Sequence, residues 1–298
     1  MKGINIIEEL DSIDYNVLED EGILYVSNSD VMYIHTKPSI WIESVEDNNV
    51  ISFSSSSISS TKFKGLTYSY DNINWSPLLR TSTITLNSGD RVYLRGNGKQ
   101  ICKTANNTST LFKTTLKFNI GGDLKGFLSP FHSLPSYAFC NLFKSTKVVD
   151  ASQLIVDVSS ASISKTDICL AMFSGCQELL NAPKLPAKAV PNLGYASMFL
   201  NCINLTSTPI LYANVVNYNG YKSMFSGCTN LSKVICLEAY ELSQNNDRVP
   251  YGSGMGSTSS WLNKVSASGT FIKRANVTTW TTGASGIPEG WTVEDYTG

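Results

Sequence analysis

The side chains best suited to metal binding or nucleophilic chemistry in this chain are its seven cysteines and two histidines. Three of the cysteines, Cys176, Cys202 and Cys228, follow one another at a constant interval along the chain. No C-x-x-C pair, a frequent signature of protein zinc sites, occurs in the sequence. The constant interval instead indicates one column of a repeat, in which each thiol is buried as a small apolar group. We therefore expect no bound metal, and reduced thiols, because stacked equivalent side chains point in parallel and do not meet disulfide geometry.

Catalysis by a hydroxyl or thiol nucleophile would have to recruit His35 or His132. The two histidines fall in different predicted domains, and the sequence has no metalloprotease, phosphate-loop, dinucleotide-binding or nucleophile-elbow motif. Asp71 and Asp90 lie in predicted turns, where aspartate has a backbone role. A carboxylate pair for glycoside hydrolysis depends on a separation in space, and that alternative stays open. The sequence favours a protein that is not an enzyme and has no cofactor.

Composition and charge disfavour several classes of partner. The formal net charge is -1 and no basic run exceeds two residues, so we expect no binding of nucleic acid. No apolar stretch approaches the length that a membrane-spanning helix needs, so we expect no insertion into a membrane. Acidic residues end the apolar run within residues 1–9, so this segment does not read as a signal peptide. Abundant Ser, Thr and Asn are typical of β-rich chains with many turns.

A repeat with a constant period is the strongest pattern in the sequence. The motif Met-Phe-x-x-Cys occurs at 172–176, 198–202 and 224–228, which defines a 26-residue period, and a leucine follows each cysteine three residues later. A period in the twenties is typical of leucine-rich-repeat solenoids, in which a strand and a short helical or turn segment form each coil. An earlier, less regular copy surrounds Phe143. We expect that copy to pack more loosely than the others.

Each copy of the repeat divides into two predicted elements. Residues 195–199 place apolar side chains at helical spacing, which indicates the outer wall of a coil. Residues 205–211 predict a short inner strand. Because each coil buries one face only against its neighbours, other segments have to cover the two ends of the stack.

The regions on either side of the repeats supply these covering segments. Residues 82–86 and 91–95 alternate apolar and polar side chains about a turn, as strands of a small β-sandwich do. The predicted fold is mainly β with short helices, a leucine-rich-repeat solenoid between an N-terminal β-sandwich-like head and a small C-terminal cap. The predicted segments are an N-terminal β segment at 1–37 with strands at 23–26 and 31–34, the head at 38–118, the solenoid at 119–240, and the capping module at 241–298.

The repeats resemble the BspA-like leucine-rich repeats of bacterial surface proteins, especially those of gut Bacteroidales. The match is closest over 172–176 and 182–187, and the flanking phrases at 66–75, 86–97 and 286–293 resemble the same subgroup. The second and third copies depart from the pattern, the third by lacking both prolines. The resemblance covers residues 40–298. It implies a secreted or surface-displayed protein that binds host or microbial partners, and it implies no catalytic residues.

Seven polar residues interleaved with the predicted strands are the candidate partner-binding residues. The predicted function is non-catalytic binding or adhesion, in which the solenoid recognises a protein or glycan. A structural or host-recognition component of a phage or prophage particle is the alternative, and it would account for the lack of a readable export signal. A cytoplasmic or virion-associated location therefore stays open beside the cell surface. The candidate residues are Glu178, Asn181, Lys184, Asn204, Ser207, Asn230 and Lys233.

Overall fold

The structure, a computed structural model, is mainly β with almost no helix, and 32% of the chain is in strands. This confirms the predicted mainly β class. The residues described are 22–27 and 30–35 (both backbone only), 39–53, 66–79, 81–96, 112–128, 134–162, 164–238, 257–278 and 280–297. Leu124–Phe127 forms a short 3-10 helix. The strands are, in chain order, β1 (Gly22–Ser27), β2 (Asp30–His35), β3 (Ile40–Ser44), β4 (Asn49–Phe53), β5 (Thr67–Ser69), β6 (Ser76–Pro77), β7 (Thr83–Leu86), β8 (Arg91–Arg95), β9 (Phe112–Thr114), β10 (Phe118–Asp123), β11 (Val148–Ile155), β12 (Ala189–Val190), β13 (Val215–Val216), β14 (Lys233–Cys236), β15 (Thr270–Lys273) and β16 (Thr292–Asp295).

The strand pair predicted near the start of the chain is present. Strands β1 and β2 pair antiparallel, with Gly22 opposite His35 and Ser27 opposite Asp30. The predicted strands at 23–26 and 31–34 fall inside them, so this prediction is confirmed.

Two sheets make up the region of the predicted head. One has six strands in the order β11-β10-β3-β8-β5-β6, and the other has three in the order β7-β4-β9. Along β3 and β4 every second side chain is buried, as in a strand with one face on the core. Ile42 of the first sheet and Ile51 of the second are both fully buried and belong to one hydrophobic core. The predicted strands at 82–86 and 91–95 coincide with β7 and β8.

Strand β10 connects the head region to the repeats. It pairs antiparallel with β3 and parallel with β11, which belongs to the first, less regular copy. The predicted boundary between residues 118 and 119 therefore falls within a strand, and the six-stranded sheet extends into the repeat region.

Each copy of the repeat contains a run of tight turns at the place where the spacing of apolar residues predicted a short helix. The predicted helical segments of the repeats are therefore replaced by turns. Within 193–202, Leu193, Ser197 and Asn201 adopt left-handed backbone conformations, with φ of 54°, 52° and 60°. The N–H of Ser197 donates to Lys222 O of the next copy at 2.8 Å, and the N–H of Met198 donates to Tyr195 O at 3.2 Å. Because alternate N–H groups bond to the neighbouring copy, the continuous i to i−4 ladder of an α-helix cannot form.

Successive turn runs stack in register. The backbone N–H groups of 167–175 bond to 192–200, and those of 193–201 bond to 218–226. The rings of Phe112, Phe143, Phe173, Phe199 and Phe225 form a stacked column, with neighbouring centroids 5.0–5.7 Å apart. The expectation that the copy around Phe143 packs loosely is wrong, because this ring is fully buried between Phe112 and Phe173.

The inner strand predicted at 205–211 is present mainly as single bridges. Ser207 and Leu211 form parallel bridges to Lys233 and Cys236 of β14. Pro209 lies between the bridged positions and has no N–H to donate, so the ladder is interrupted there.

The stack continues beyond the predicted end of the repeats at residue 240. Strands β15 and β16 extend β14 in parallel register, and residues 257–264 form a further turn run that accepts hydrogen bonds from 221–227. Trp261 is fully buried and stacks on Tyr221 with a centroid distance of 6.3 Å. The C-terminal region therefore covers the last copy of the repeated motif by adding a turn run and two strands to the stack.

Candidate functional site

A row of polar side chains spans four strands of the six-stranded sheet, β8, β3, β10 and β11, and reaches the copy of the repeat that begins with the motif at 172–176. The register pairs Arg91 with Glu43, Glu43 with Asn119, Asn119 with Asp150, and Asp150 with Asn181. Neighbouring strands are about 4.8 Å apart, so the backbone positions of these five residues follow one another from strand to strand. We call these five residues the polar row.

The side chains of the polar row bond to one another. Arg91 Nε donates to Glu43 Oε2 at 2.5 Å, and Asn119 Nδ2 donates to Glu43 Oε1 at 3.4 Å. Asn181 Nδ2 donates to Asp150 Oδ2 at 3.0 Å. The row thus consists of two hydrogen-bonded sets, Arg91–Glu43–Asn119 and Asp150–Asn181, and within each set the side chains hold one another in fixed orientations. Such groups can bind hydroxyls, amides or charged groups of a partner.

The polar row lies on the face of the sheet that points away from the core. Ile42 and Val92, which follow Trp41 and Arg91 along their strands, are fully buried. Successive side chains of a strand point to opposite faces. Glu43, which is adjacent to Ile42, and Arg91, which is adjacent to Val92, must therefore face outward. This alternation, visible in the sequence of β8, is what directs Arg91 toward solvent.

An aromatic pair flanks the polar row on the same face. Trp41 and Tyr93 are register partners, and Trp41 also pairs with Gly121. A Cβ added at Gly121 would lie 2.4 Å from the indole, so only glycine leaves room for the ring at that position. The guanidinium carbon of Arg91 lies 4.2 Å from the centroid of Trp41. This distance is typical of a cation–π contact, which fixes the guanidinium over the ring.

Burial and hydrogen bonding shift the pKa values of two members of the polar row, Asp150 and Arg91. Burial opposes ionisation of Asp150, but hydrogen bonds from Ser152 and Asn181 outweigh it and hold the pKa of Asp150 below its ordinary value. Arg91 donates to Glu43, which raises the pKa of the guanidinium further. Both groups are therefore charged at neutral pH.

The structure brings only some of the seven predicted binding residues together. Asn181 belongs to the polar row, and Glu178 beside it forms an ion pair with Lys117 at 3.2 Å. Lys184 is exposed and pairs with Ile155, outside the row.

The remaining four predicted residues lie farther along the repeats. Ser207 and Lys233 are register partners of each other. Lys233 is in turn the partner of Thr270, and Thr270 is the partner of Thr292. The hydroxyl oxygens of the two threonines lie 3.1 Å apart. Asn204 is half-buried and Asn230 is exposed. No bridge joins Asn181 to Ser207 within the described residues, so the seven form no single cluster.

Sequence reasoning missed the other four members of the polar row. Glu43, Arg91, Asn119 and Asp150 are widely separated along the chain. The alternation of β3 and β8 could have indicated their outward direction. Their alignment depends on strand register, including an irregular β10-β11 pairing with register shifts next to Asn119.

The cysteine column provides packing and hydrogen bonds. The thiols of Cys176, Cys202 and Cys228 donate to the carbonyls of Phe143, Phe173 and Phe199 at 3.0, 3.1 and 3.0 Å. Each bond joins one copy to the previous one. Burial raises the pKa of Cys176 to about 11 and that of Cys228 to about 12, which suppresses the thiolate. The prediction that these three cysteines are buried and free of disulfides is confirmed.

A second buried titratable group lies between the last two strongly periodic copies. The side chain of Glu238 is almost fully buried, and its Oε1 accepts hydrogen bonds from Tyr221 Oη at 2.9 Å and from Ala213 N–H at 3.1 Å. Its Oε2 has no hydrogen-bond partner among the described residues. Burial raises the pKa of Glu238 to about 8, although the two hydrogen bonds and the charge of Arg274 act in the opposite direction.

We expect Glu238→Gln to flatten the dependence of stability on pH. Because the folded pKa is raised, the stability contributed by the neutral acid is complete below its ordinary pKa of 4.5 and is lost as pH rises through about 8. Within this window the slope approaches about 1.4 kcal/mol per pH unit. Glutamine stays neutral and keeps an oxygen that can accept the hydrogen bond from Tyr221. The unfolding free energy of the variant should therefore rise relative to that of the wild type as pH increases. Urea unfolding at several pH values between 5 and 8 measures this, and two parallel profiles would contradict it.

Two features are absent from the described residues. None of their helices is long and apolar enough to span a bilayer. They contain no group of three or more His, Cys, Asp or Glu side chains arranged to hold a metal ion. His132 lies outside the described residues, and only the backbone of His35 is described. Comparison with protein-family models, curated proteins and solved structures finds no match to this chain.

Proposed function

We propose that this chain is a non-catalytic binding or adhesion protein that recognises a protein or glycan partner. The observation that carries the proposal is the polar row, which presents five polar groups, oriented by hydrogen bonds within two adjacent sets. A surface of this kind suits recognition, because its hydrogen-bonding groups are fixed before a partner arrives and lose little conformational freedom on binding. We further propose secretion or display at the cell surface, as the resemblance of the repeats implies.

We also propose that the repeats form a BspA-like leucine-rich-repeat solenoid between a β-sandwich-like head and a C-terminal cap. The stacked turn runs, the phenylalanine column and the parallel register of β14, β15 and β16 support this interpretation. A solenoid presents an extended surface built from equivalent positions, which is how repeat proteins usually bind partners.

The structural use of the reactive side chains supports a non-catalytic role. The cysteine column is buried and its thiols are engaged with backbone carbonyls. The carboxylate of Asp71 accepts bonds from Ser69, Ile73 and Asn74, which close the turn after β5. Asp90 accepts a bond from the N–H of Asn87 in the turn before β8. Each of these groups maintains local structure.

Binding without turnover is the expected result when the purified chain is tested against immobilised extracellular-matrix proteins, mucin glycans and microbial and plant polysaccharides. At least one component should show saturable binding. The triple variant Glu43→Ala, Asn119→Ala and Asn181→Ala should weaken that binding about tenfold or more, since each lost hydrogen bond contributes about 1 kcal/mol.

The matched control changes three exposed residues on the outer face of the second sheet: Thr83→Ala, Thr85→Ala and Lys113→Ala. This control should bind as the wild type does. The proposal fails if no component of the panel binds, if the two triple variants behave alike, or if mass spectrometry detects cleaved products from a bound component.

A further inference from the structure

The outward face of the head sheet carries a compact group of aromatic and polar side chains. Trp41, Glu43, Arg91, Tyr93 and Asn119 come from three adjacent strands and are joined by register. We call this group the head platform. It includes the part of the polar row that lies farthest from the repeats.

The head platform is rigid in its central part. Trp41 lies against Gly121, where no side chain separates the indole from the backbone, and Arg91 lies over the same ring. Arg91 is held a second time by its ion pair with Glu43. Glu43 is fixed in turn by Asn119. A ligand would therefore meet oriented groups that do not need to be ordered first.

The charges of the head platform cancel. Arg91 and Glu43 are its two charged side chains and pair with each other at 2.5 Å. A strongly anionic or cationic ligand would have to break this pair to gain its own ion pair. A neutral ligand with several hydroxyl groups would keep the pair and use its remaining donors and acceptors.

The exposed apolar area of the head platform is too small to favour a protein partner. Protein interfaces concentrate their binding energy in large exposed aromatic or apolar anchors. The large hydrophobic residues exposed in the described head region, such as Tyr70, Ile73 and Leu79, do not belong to the platform. Trp41 and Tyr93 are already half-buried. A sugar ring requires less exposed apolar area than a protein partner does, because one flat surface and a few hydrogen-bonding groups are enough to hold it.

We propose that the head platform binds a neutral glycan chain, with sugar rings on Tyr93 and on the outer face of the Arg91 guanidinium that covers Trp41, and hydroxyls bonded to Glu43 and Asn119. This inference rests on the proposed binding function and names its ligand class. The strand spacing of about 4.8 Å is close to the length of one sugar unit, so successive units along a chain can meet successive strands of the polar row. A second stack, Arg95 at 3.8 Å from the ring centroid of Trp75, lies next along β8 and extends the surface.

The test is affinity electrophoresis of the full chain in gels that contain yeast mannan, xylan, galactomannan or a soluble β-1,3-glucan. At least one of these neutral polysaccharides should retard the wild type. Tyr93→Ala and Asn119→Ala should each weaken the retained complex about tenfold, which corresponds to about 1.4 kcal/mol. Thr85→Ala, on the outer face of the other sheet, should behave as the wild type, and unfolding transitions should show that all three variants are folded.

Several results would overturn the inference. Retardation by none of the four polysaccharides, or retardation by heparin or pectin alone, would exclude a neutral glycan as the ligand. Equal retardation of the wild type, Tyr93→Ala and Asn119→Ala would place the glycan elsewhere on the chain. In each case saturable binding of a protein, or of a glycan through the repeats, would leave the proposed function intact, whereas absence of any binding partner would remove both.

Discussion

Deletion of residues 241–298 should turn the protein into an aggregating species that lacks a cooperative unfolding transition. The deleted segment contributes the turn run at 257–264 and strands β15 and β16. Trp261 and Phe271 within it are fully buried, and Trp261 stacks on Tyr221 of the preceding copy.

The expected effect is large because the deletion removes both hydrogen bonds and apolar cover. The N–H groups of 221, 223, 225 and 227 donate to residues 257–263 and would lose their partners. The side chains of Tyr221, Phe225 and Val234, now buried, would be uncovered at the end of the stack. Burying a large apolar side chain contributes about 1.5–3 kcal/mol, and a typical domain is stable by only about 5–15 kcal/mol. The truncated chain should therefore fall below the threshold for a stable fold.

Size-exclusion chromatography and binding of a hydrophobic dye measure this outcome. Trp261→Ala tests the same contact with one substitution and should leave a folded but much less stable protein. Val293→Ala, at an exposed position of β16, is the control and should change the unfolding free energy little. A truncated chain that is monomeric and unfolds cooperatively would show that residues 241–298 do not protect the stack.

The sequence was sufficient to predict the features that depend on local alternation and on repetition. The constant period of the repeat correctly aligned Phe173, Phe199 and Phe225 in one buried column. Alternation located β7 and β8 to within a residue of their observed limits. Both kinds of pattern follow from side-chain direction, which sequence spacing reports well.

The features that the sequence did not reveal depend on hydrogen bonds between distant segments. Apolar spacing alone does not distinguish a helix from a run of turns, and the difference arises where Ser197 donates to Lys222 of the next copy. The polar row likewise requires the register of β10 and β11, which includes shifts next to Asn119. Strand register is set by packing across the sheet, so Asp150 and Asn119 could not be matched from sequence spacing.

Phe143→Ala and Phe199→Ala should be almost equally damaging, each costing about 3–5 kcal/mol of unfolding free energy. Both rings are fully buried and each is stacked on both sides. Phe199 lies 5.7 Å from Phe173 and 5.3 Å from Phe225, and Phe143 lies 5.4 Å from Phe173. The irregular sequence around Phe143 alone would indicate a loose first copy and a smaller cost.

Contacts with the head region are the reason why Phe143→Ala should cost as much as Phe199→Ala. Phe112 of β9 stacks on Phe143 with a centroid distance of 5.0 Å, the shortest in the column, and it is itself fully buried. Truncation at either position leaves a cavity between two rings that the backbone bonds between copies hold in place. Such a site cannot collapse readily, so the cavity adds to the loss of apolar burial.

Urea denaturation of the two variants decides between the interpretations, with Leu180→Ala as a control because that side chain is about half exposed. The control should change the unfolding free energy by less than about 1 kcal/mol. Comparable slopes with urea concentration would show that the variants unfold as the wild type does, so that midpoints can be compared. If Phe143→Ala cost less than half as much as Phe199→Ala, the first copy would have to open independently of the stack. In that event Phe112 would not anchor the phenylalanine column to the head.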